Sequence, residues 1–489
     1  MKLQLTATAI SAASLVLLNA CVSVPVDNDV LPQRDLASAE LAADIKLARE
    51  GWPPALWWTR YDDAQLNDLI AQALRDNPSM QSAAARFAAA RASLQSSKSE
   101  EGVSVDFNGA MNRQRYSANG FFPAPIGGAY YTETTPQIVA SYNFDWWGKH
   151  KAQIGAALGE VNARMAETAE TEQTLVAAVA QSYYGIQGDW ARLDNLKHAL
   201  ALQSQIVDDK AKRIAHGVAA ADSERMAEVE LGNAKQQITR LETQLVRERE
   251  ALRALIGGGA QALNKFSPRP MPAAAPGLPE KLGMDLLARR PDLQAARWRI
   301  EASLDRIEAD KAEFYPDINL AGFIGNDVIS LDKLLQYPSR TLFLGGTLKL
   351  PLFESGHLKA QLAGARSQRN ETIAEYNQAV LGAIREVAQD AASLRGLQQE
   401  LAEQVVSSNA SKAVLSSARA RYKQGLADHA SLLSAELAVD RQIDAELQLK
   451  SQQIQNEIAL VKALGGGYVA PRQIPEPMSA ASDAATTNK

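Results

Sequence analysis

Few side chains in this sequence are of types and spacings that could do covalent chemistry. Cys21 is the single cysteine among 489 residues, so it can act as a nucleophile but can make no internal disulfide. The histidines, His150, His198, His216, His357 and His429, are scattered, and none stands in a metal-ligand pattern. The sequence has no GxxxxGK[ST] phosphate loop, no GxGxxG after a strand, no HExxH and no CxxC. It offers no candidate for catalysis and no site for a cofactor. What it offers is Cys21 as an attachment point for a covalent lipid.

Lys2 is the only charge ahead of an uncharged run from Leu3 to Leu18, and Ala20 places a small residue before Cys21. This is the layout of a secretory signal peptide, residues 1–20. Its middle is shorter than the roughly 20 apolar residues that would span a bilayer. Leu18-Asn19-Ala20-Cys21 resembles a lipobox, in which the signal is cut before the cysteine and the thiol carries a diacylglycerol, although Asn19 is uncommon at its place. Val22-Ser23 comes next, with no Asp at the second mature position, as in lipoproteins sent to the outer membrane. The mature chain is expected outside the cytoplasm, stabilised by packing or assembly.

Charge narrows the partners. Lys and Arg number 51 against 56 Asp and Glu, a net charge of -5, and the basic residues form no stripe; a nucleic-acid partner is disfavoured. A hydrophobic share of 46% is enough for a core.

The chain repeats itself. "WGKHKAQIGAA" aligns with "SGHLKAQLAGA" at an offset of 356 − 148 = 208, placing Gly148 on Gly356, Lys151 on Lys359 and Gln153 on Gln361. The same offset carries Arg213 to Arg421, Gly217 to Gly425 and Gly257 to Gly465. Upstream, Pro78 matches Pro291 and Arg86 matches Arg299. Two tandem halves of one plan explain this better than chance. The expected divisions are 21–76 as an N-terminal equatorial part, 77–256 as the first repeat, 257–289 as a Pro/Gly/Ala linker, 290–464 as the second repeat and 465–489 as a tail.

Within each half a short helix precedes the proline, and a second runs to about Ser97 or Glu313. The period then becomes two. Val103, Val105, Phe107, Gly109 and Met111 alternate with polar residues, as do Ile138, Ala140, Tyr142, Phe144 and Trp146. Ile318, Leu320, Gly322 and Ile324 keep the same pattern, then Leu342, Leu344, Gly346, Leu348, Leu350 and Leu352. Such alternation means strands with two unlike faces, giving hairpins over 103–146 and 317–353. No proline interrupts the chain between Pro136 and Pro268 or between Pro351 and Pro471. Ile154, Leu158, Val161, Met165, Leu175, Val179, Ile186, Leu193 and Leu200, and in the second half Ile373, Tyr376, Val380, Ile384, Val387, Leu394, Leu401 and Val405, keep a three-four spacing, the period of coiled-coil packing. Long helices are expected over 148–216 and 355–424, returning over 220–256 and 428–464 to a triple glycine. No compact monomer can bury such helices, and the edges of four strands cannot stay open in lipid. A membrane barrel needs at least eight strands, so several copies must each contribute a few.

At "WWTRYDDAQLNDLIAQAL", "RRPDLQAARWRIEA", "FYPDINL", "FDWWGK" and "ALGGGY" the chain resembles the TolC-like outer-membrane factors of bacterial efflux pumps, in the lipoprotein branch with OprM-like, NodT-like and fusaric-acid-resistance-like members. The resemblance covers nearly the whole mature chain. It implies a mixed α and β fold and a homotrimer, with an outer-membrane β-barrel of four strands per chain continued by a long periplasmic α-helical barrel. It implies a collar made from the chain ends and the linker. It further implies a passive duct of a tripartite multidrug efflux system, docked on a periplasmic adaptor and driven by an inner-membrane pump of the RND or major-facilitator type. A type I protein-secretion channel is the alternative within that class; a lipid-anchored periplasmic coiled-coil scaffold is the alternative outside it.

The resemblance makes the turns Gly217-Val218-Ala219 and Gly425-Leu426-Ala427 the adaptor-docking tips. Read from the residues alone, the two glycines are tight turns at positive φ. Trp146 and Trp147 suit either an aromatic belt at the membrane edge or packing at the joint of strand and helix. Family members often carry an acidic residue nine places past the second tip glycine, making a carboxylate ring at the closed end of the duct; here that place holds Ser434. Ala427, Ser431, Ser434 and Ala438 share one helical face, small and uncharged. Asp222, Glu224 and Glu230 are the carboxylates that could restore charge there. Asp428 reads as a helix N-cap in preference to a channel ligand, and Tyr422 either hydrogen-bonds across the tip or packs.

Overall fold

The computed structural model describes residues 23–34, 54–218, 220–272 and 284–469. Cys21, the signal peptide, Ala219 and most of the C-terminal tail lie outside the described residues. In order the elements are α1 (Ala64–Asp76), α2 (Pro78–Ser99), β1 (Ser104–Arg115), β2 (Tyr130–Asn143), α3 (Lys149–Ala215), α4 (Ala221–Leu255), α5 (Pro291–Ala312), β3 (Asp317–Asn326), β4 (Arg340–Lys349), α6 (His357–Lys423) and α7 (His429–Ala463).

The helices keep the repeat without a gap. α3 and α6 each have 67 residues and start 357 − 149 = 208 apart; α4 and α7 each have 35 and start 429 − 221 = 208 apart. At 1.5 Å per residue, α3 and α6 are each about 100 Å long. Prolines set the breaks ahead of them. A residue before proline is pushed out of the α region, and Asn77 is extended (φ -71°, ψ 128°), ending α1 before Pro78 opens α2. The corresponding stretch before Pro291, Met284–Arg289, is a 3-10 turn rather than the short α-helix the repeat suggests.

The described residues form two compact units. One draws on 23–33, 87–164 and 296–376; the other draws on 34, 54–86, 165–272, 284–295 and 377–469, Ala219 apart. The units cut across the tandem repeats, because each repeat gives its hairpin to the first unit and its returning helix to the second.

The first unit holds one antiparallel sheet in the order β1-β2-β3-β4. Its register decides the faces. Val105 pairs with Ala140, Gly322 with Ala140 and Leu344 with Gly322; Phe107, Ile138, Ile324 and Leu342 form the next row. The alternating residues read from the sequence within the strands therefore share one apolar face. The opposite face carries Asp106, Asn108, Gln137, Ser141, Asn143 and Asn319, with a Ser104–Ser141 hydroxyl bond of 2.7 Å across the strands. A stacked Phe323–Phe343 pair, centroids 5.4 Å apart, interrupts it. Two strands are shorter than their apolar alternation. β2 stops at Asn143 because Asp145 turns to accept from the amides of His150 and Lys151 (3.1 and 3.0 Å), the open donors that start α3. β4 stops at Lys349, since Pro351 cannot donate to a ladder.

Residues 23–34 run beside α6. Arg366 donates to the carbonyls of Pro25 (2.6 Å) and Val26 (3.1 Å), Arg369 pairs with Asp27 at 2.5 Å, and Asn370 holds Asp29 and Leu31. The hydrogen bond from Arg369 holds the Asp27 carboxyl below its usual range. Val24 packs on Ile307, Phe314, Leu358 and Leu362.

The core of the second unit joins Trp57, Trp58, Leu66 and Ile70 from the start of the chain to Val176, Tyr183 and Ile186 of α3, Leu252 of α4, Leu263 and Phe266 of the linker, and Ile458 of α7. Chain start, linker and the end of the second repeat thus pack together. The apolar stripes are not wholly covered in the single chain: Met226, Val229 and Val246 on α4 and Val405, Val406 and Val414 on α6 are exposed.

Candidate functional site

The two turns that close the long helices have one geometry. Gly217 (φ 71°) donates to Ile214 at 2.8 Å and Val218 to Arg213 at 2.9 Å; Gly425 (φ 69°) donates to Tyr422 at 3.0 Å and Leu426 to Arg421 at 2.9 Å. Each is a Schellman motif, which satisfies the last carbonyls of a helix by putting one residue in the left-handed region. Both glycines are at positive φ, as the sequence requires. Each turn then displays an apolar side chain, Val218 at 64% exposure and Leu426 at 72%.

The turns differ at the start of the returning helix. Asp428 caps α7 by accepting from the amide of Ser431 at 2.9 Å, whereas Ala220 at the matching place in α4 gives no side-chain cap. The cap is worth about 1 kcal/mol. Asp428 also pairs with Arg213 near the end of α3. The Ser431 hydroxyl bond, with Arg213, holds the Asp428 carboxyl below its ordinary value. A depressed carboxylate stabilises above its unfolded pKa, so this link weakens only as pH falls through the folded value.

Beside the cap, His429 Nδ1 lies 2.5 Å from Asp209, and the Tyr422 ring lies 5.3 Å from the His429 ring. Tyr422 therefore packs on His429. Farther along, His198 meets Asp440 at 2.7 Å and Arg192 meets Asp444 at 2.9 Å. These links tie the outgoing helix of the first repeat to the returning helix of the second. Leu202, Ile206, Ala227, Leu433 and Leu437 fill the space between α3, α4 and α7. Sequence reading missed this ladder, since its partners are 215 to 252 residues apart.

Of the four small residues expected on one helical face, Ser431, Ser434 and Ala438 lie on α7, whereas Ala427 precedes the N-cap Asp428 and stands in the turn, off that face. Ser431 and Ser434 are exposed, and their hydroxyls turn onto their own chain, Ser431 to Asp428 and Ser434 to the Ala430 carbonyl at 2.8 Å. Asp222 is exposed and meets Arg225 of its own helix at 3.3 Å; Glu224 stands on the same first turn of α4. Neither is joined to the α7 face by a hydrogen bond or ion pair among the described residues.

At the joint of strands and helices, Trp147 stacks on Tyr315 (centroids 4.8 Å) and donates to the Pro316 carbonyl at 2.7 Å, while Trp146 is 62% exposed beside Phe144. Trp147 thus packs at the joint while remaining half-exposed, and Trp146 beside it is also exposed.

The "RRPD" motif has a structural task. Arg290 is buried, grips Asp292 with two bonds (3.0 and 2.8 Å), reaches Glu386 at 3.0 Å and donates to the Ala463 carbonyl at the end of α7 at 2.8 Å. Arg290 is the buried member, while Asp292 and Glu386 are 30% and 43% exposed and can be resolvated when it is lost. Arg290→Ala is expected to cost about 2 kcal/mol in denaturant unfolding of the assembled protein, the scale of lost charge-assisted hydrogen bonds, and Arg290→Lys should rescue little, because an ammonium cannot make the paired contact. An unchanged unfolding curve for Arg290→Ala would refute this role.

Among the described residues no cluster of His, Cys, Asp and Glu could hold a metal ion, and no helix is long and apolar enough to cross a membrane.

A family model described as outer membrane efflux protein matches residues 69–258 and 282–466. The multidrug resistance outer membrane protein MdtP of Escherichia coli strain K12 is 37% identical over 465 residues, 94% of this chain and 95% of that protein. The multidrug resistance outer membrane protein MdtQ of Escherichia coli O157:H7 is 32% identical over 462 residues, 93% of this chain and 96% of that protein. The crystal structure of the outer membrane protein VceC from Vibrio cholerae superimposes with a TM-score of 0.77 at 29% identity, covering 86% of this chain and all of that one.

Proposed function

The chain belongs to the outer membrane efflux protein family, and on that premise we propose that three copies close one duct that carries compounds passively outward. It is an outer-membrane efflux channel with a mixed α and β fold. The observation that carries the trimer is the sheet: four strands with an apolar and a polar face, and β1 and β4 left as edges. Open edges do not persist in lipid, and barrels need at least eight strands. Three copies bring 3 × 4 = 12 strands, the apolar faces outward and the polar faces around water. The exposed apolar side chains of α4 and α6 support the same assembly, each copy covering its neighbour's stripe.

Energy comes from elsewhere, since the sequence carries no nucleotide loop. The exposed Val218 and Leu426 turns meet a periplasmic adaptor, and that adaptor is bound to an inner-membrane pump of the RND or major-facilitator type. Cys21 carries the lipid. The strap at residues 23–34 supports this, because Val24 packs on a cluster with Phe314 and Leu358, which flank the hairpin of β3 and β4, and Cys21 is three residues earlier in the sequence. No residue acts as a catalyst in this reading.

The test is to purify the mature protein and measure ionic conductance in planar bilayers, together with the mass of its N-terminus. An SDS-resistant trimer that conducts, with acyl chains on Cys21, is expected. A non-conducting monomer would overturn the duct, and an uncut chain with a free thiol would overturn the lipid attachment.

A further inference from the structure

The apolar face of the sheet carries charge at one end only. Following the register, the residues on that face include Arg113 and Arg115 at the end of β1 and Arg340 at the start of β4. No Asp, Glu or Lys of the four strands shares that face: Asp106, Glu133, Asp317 and Lys349 all lie on the other. The helices α2, α3, α5 and α6 all join the sheet at the opposite end of the strands. The arginines therefore sit at the rim far from the helices.

An arginine facing lipid is costly near the middle of a bilayer and nearly free at its edge. From Val103 to Met111 is eight residues, about 27 Å along a strand, or roughly 20 Å of height at a tilt near 40°. That approaches the ~25 Å apolar band of such barrels and leaves Arg113 and Arg115 at its outer margin. The guanidinium of Arg113 lies 5.8 Å from the Tyr130 ring centroid, and that of Arg340 lies 4.8 Å from Tyr337. Both are held over aromatic faces by cation–π attraction rather than by a carboxylate. Asp327 and Asp332, with Lys333, belong to the connection between β3 and β4, not to the sheet face.

We propose that Arg113, Arg115 and Arg340 hold the phosphate groups of the phosphorylated glycolipid in the outer leaflet. The proposal rests on the reading of the sheet as a stave of an outer-membrane barrel. Its ligand comes from charge complementarity: a cationic row of strand residues, with no acid among the strand residues of its face, on a face otherwise made for acyl chains fits a lipid whose head is anionic and phosphate-bearing. Arginine suits that task because its planar fork makes paired bonds to phosphate oxygens.

The test uses full-length protein reconstituted in phosphatidylethanolamine vesicles containing bis-phosphorylated lipid A, its dephosphorylated form or phosphatidylglycerol at one mole fraction. Lipid retained per chain is read by native mass spectrometry after detergent extraction, and conductance is read on the same vesicles. Native protein is expected to retain lipid A and to lose the dephosphorylated form and phosphatidylglycerol. The triple Arg113→Gln, Arg115→Gln, Arg340→Gln variant should retain lipid A at least about tenfold less, and Lys349→Gln, on the other face, should retain it as the native protein does. Arg-to-Lys changes at the same three places keep the charge and should keep most of the retention, which separates lost binding from lost folding. Equal retention by the Gln variant, equal retention of phosphatidylglycerol, or displacement of lipid A by inorganic phosphate at matched concentration would each overturn the proposal. Failure of native protein to conduct in any vesicle would instead overturn the barrel.

Discussion

Gly425→Val should abolish export-dependent drug resistance while the SDS-resistant trimer still forms. A Cβ at Gly425 would meet nothing within 4 Å, so space is not the obstacle. The obstacle is φ 69°, which a β-branched residue resists at a cost of about 1–3 kcal/mol. The valine variant should relieve that cost by unwinding the Schellman turn, releasing the Leu426 amide from Arg421 and moving the exposed Leu426 side chain that we propose as the adaptor contact. The sheet and the Trp57 core use other residues, so assembly survives. Gly425→Asn, which tolerates the left-handed region, should retain most resistance. Full resistance in the valine variant would place docking elsewhere.

Ser434→Asp should convert a weakly blocked channel into a strongly blocked one. In the native chain the α7 face of Ser431, Ser434 and Ala438 offers no carboxylate, and the Ser434 hydroxyl is spent on Ala430. If that face lines the lumen, three copies of the variant set three carboxylates around one axis, and their charges act together on a multivalent cation at close range. Block by such cations from the periplasmic side of a planar bilayer should tighten by ~tenfold or more. Tight block of the native channel, unchanged when Asp222 and Glu224 are neutralised, would show that the constriction lies away from α7.

Much of this fold is legible in the sequence because its signals are periodic. Two proline-free spans with a three-four stripe become α3 and α6, and the offset of 208 read from Gly148 and Gly356 recurs in both helix pairs. Period two gives the strands, and the pairing of Phe107 with Ile138 puts the alternating residues on one face. What periodicity cannot carry is contact between distant positions. Arg290 reads only as part of a motif until its bonds to Glu386 and Ala463 are seen. His198 and His429 look scattered until α7 brings Asp440 to the one and α3 brings Asp209 to the other. Strand ends escaped too: Phe144 and Trp146 keep the alternation, but the competing demand of the α3 amides for Asp145 stops β2 at Asn143. Between the repeats, Asp428 and Ala220 occupy equivalent places, and only the former can cap. The first tip instead carries a bond across its turn from Lys210 to the Ser223 carbonyl at 3.1 Å.

The central claim is that the sheet is a stave of a barrel with lipid on one face and water on the other. Cysteine scanning tests it most directly, because Cys21 is the only native cysteine. Asn108→Cys and Phe107→Cys place one thiol on each face of β1. In vesicles, a charged, membrane-impermeant thiol reagent should label Asn108→Cys many times faster than Phe107→Cys, and at alternate positions along β1 the rates should rise and fall with period two. Fast labelling of Phe107→Cys with a protected Asn108→Cys, or equal rates at both, would contradict the account.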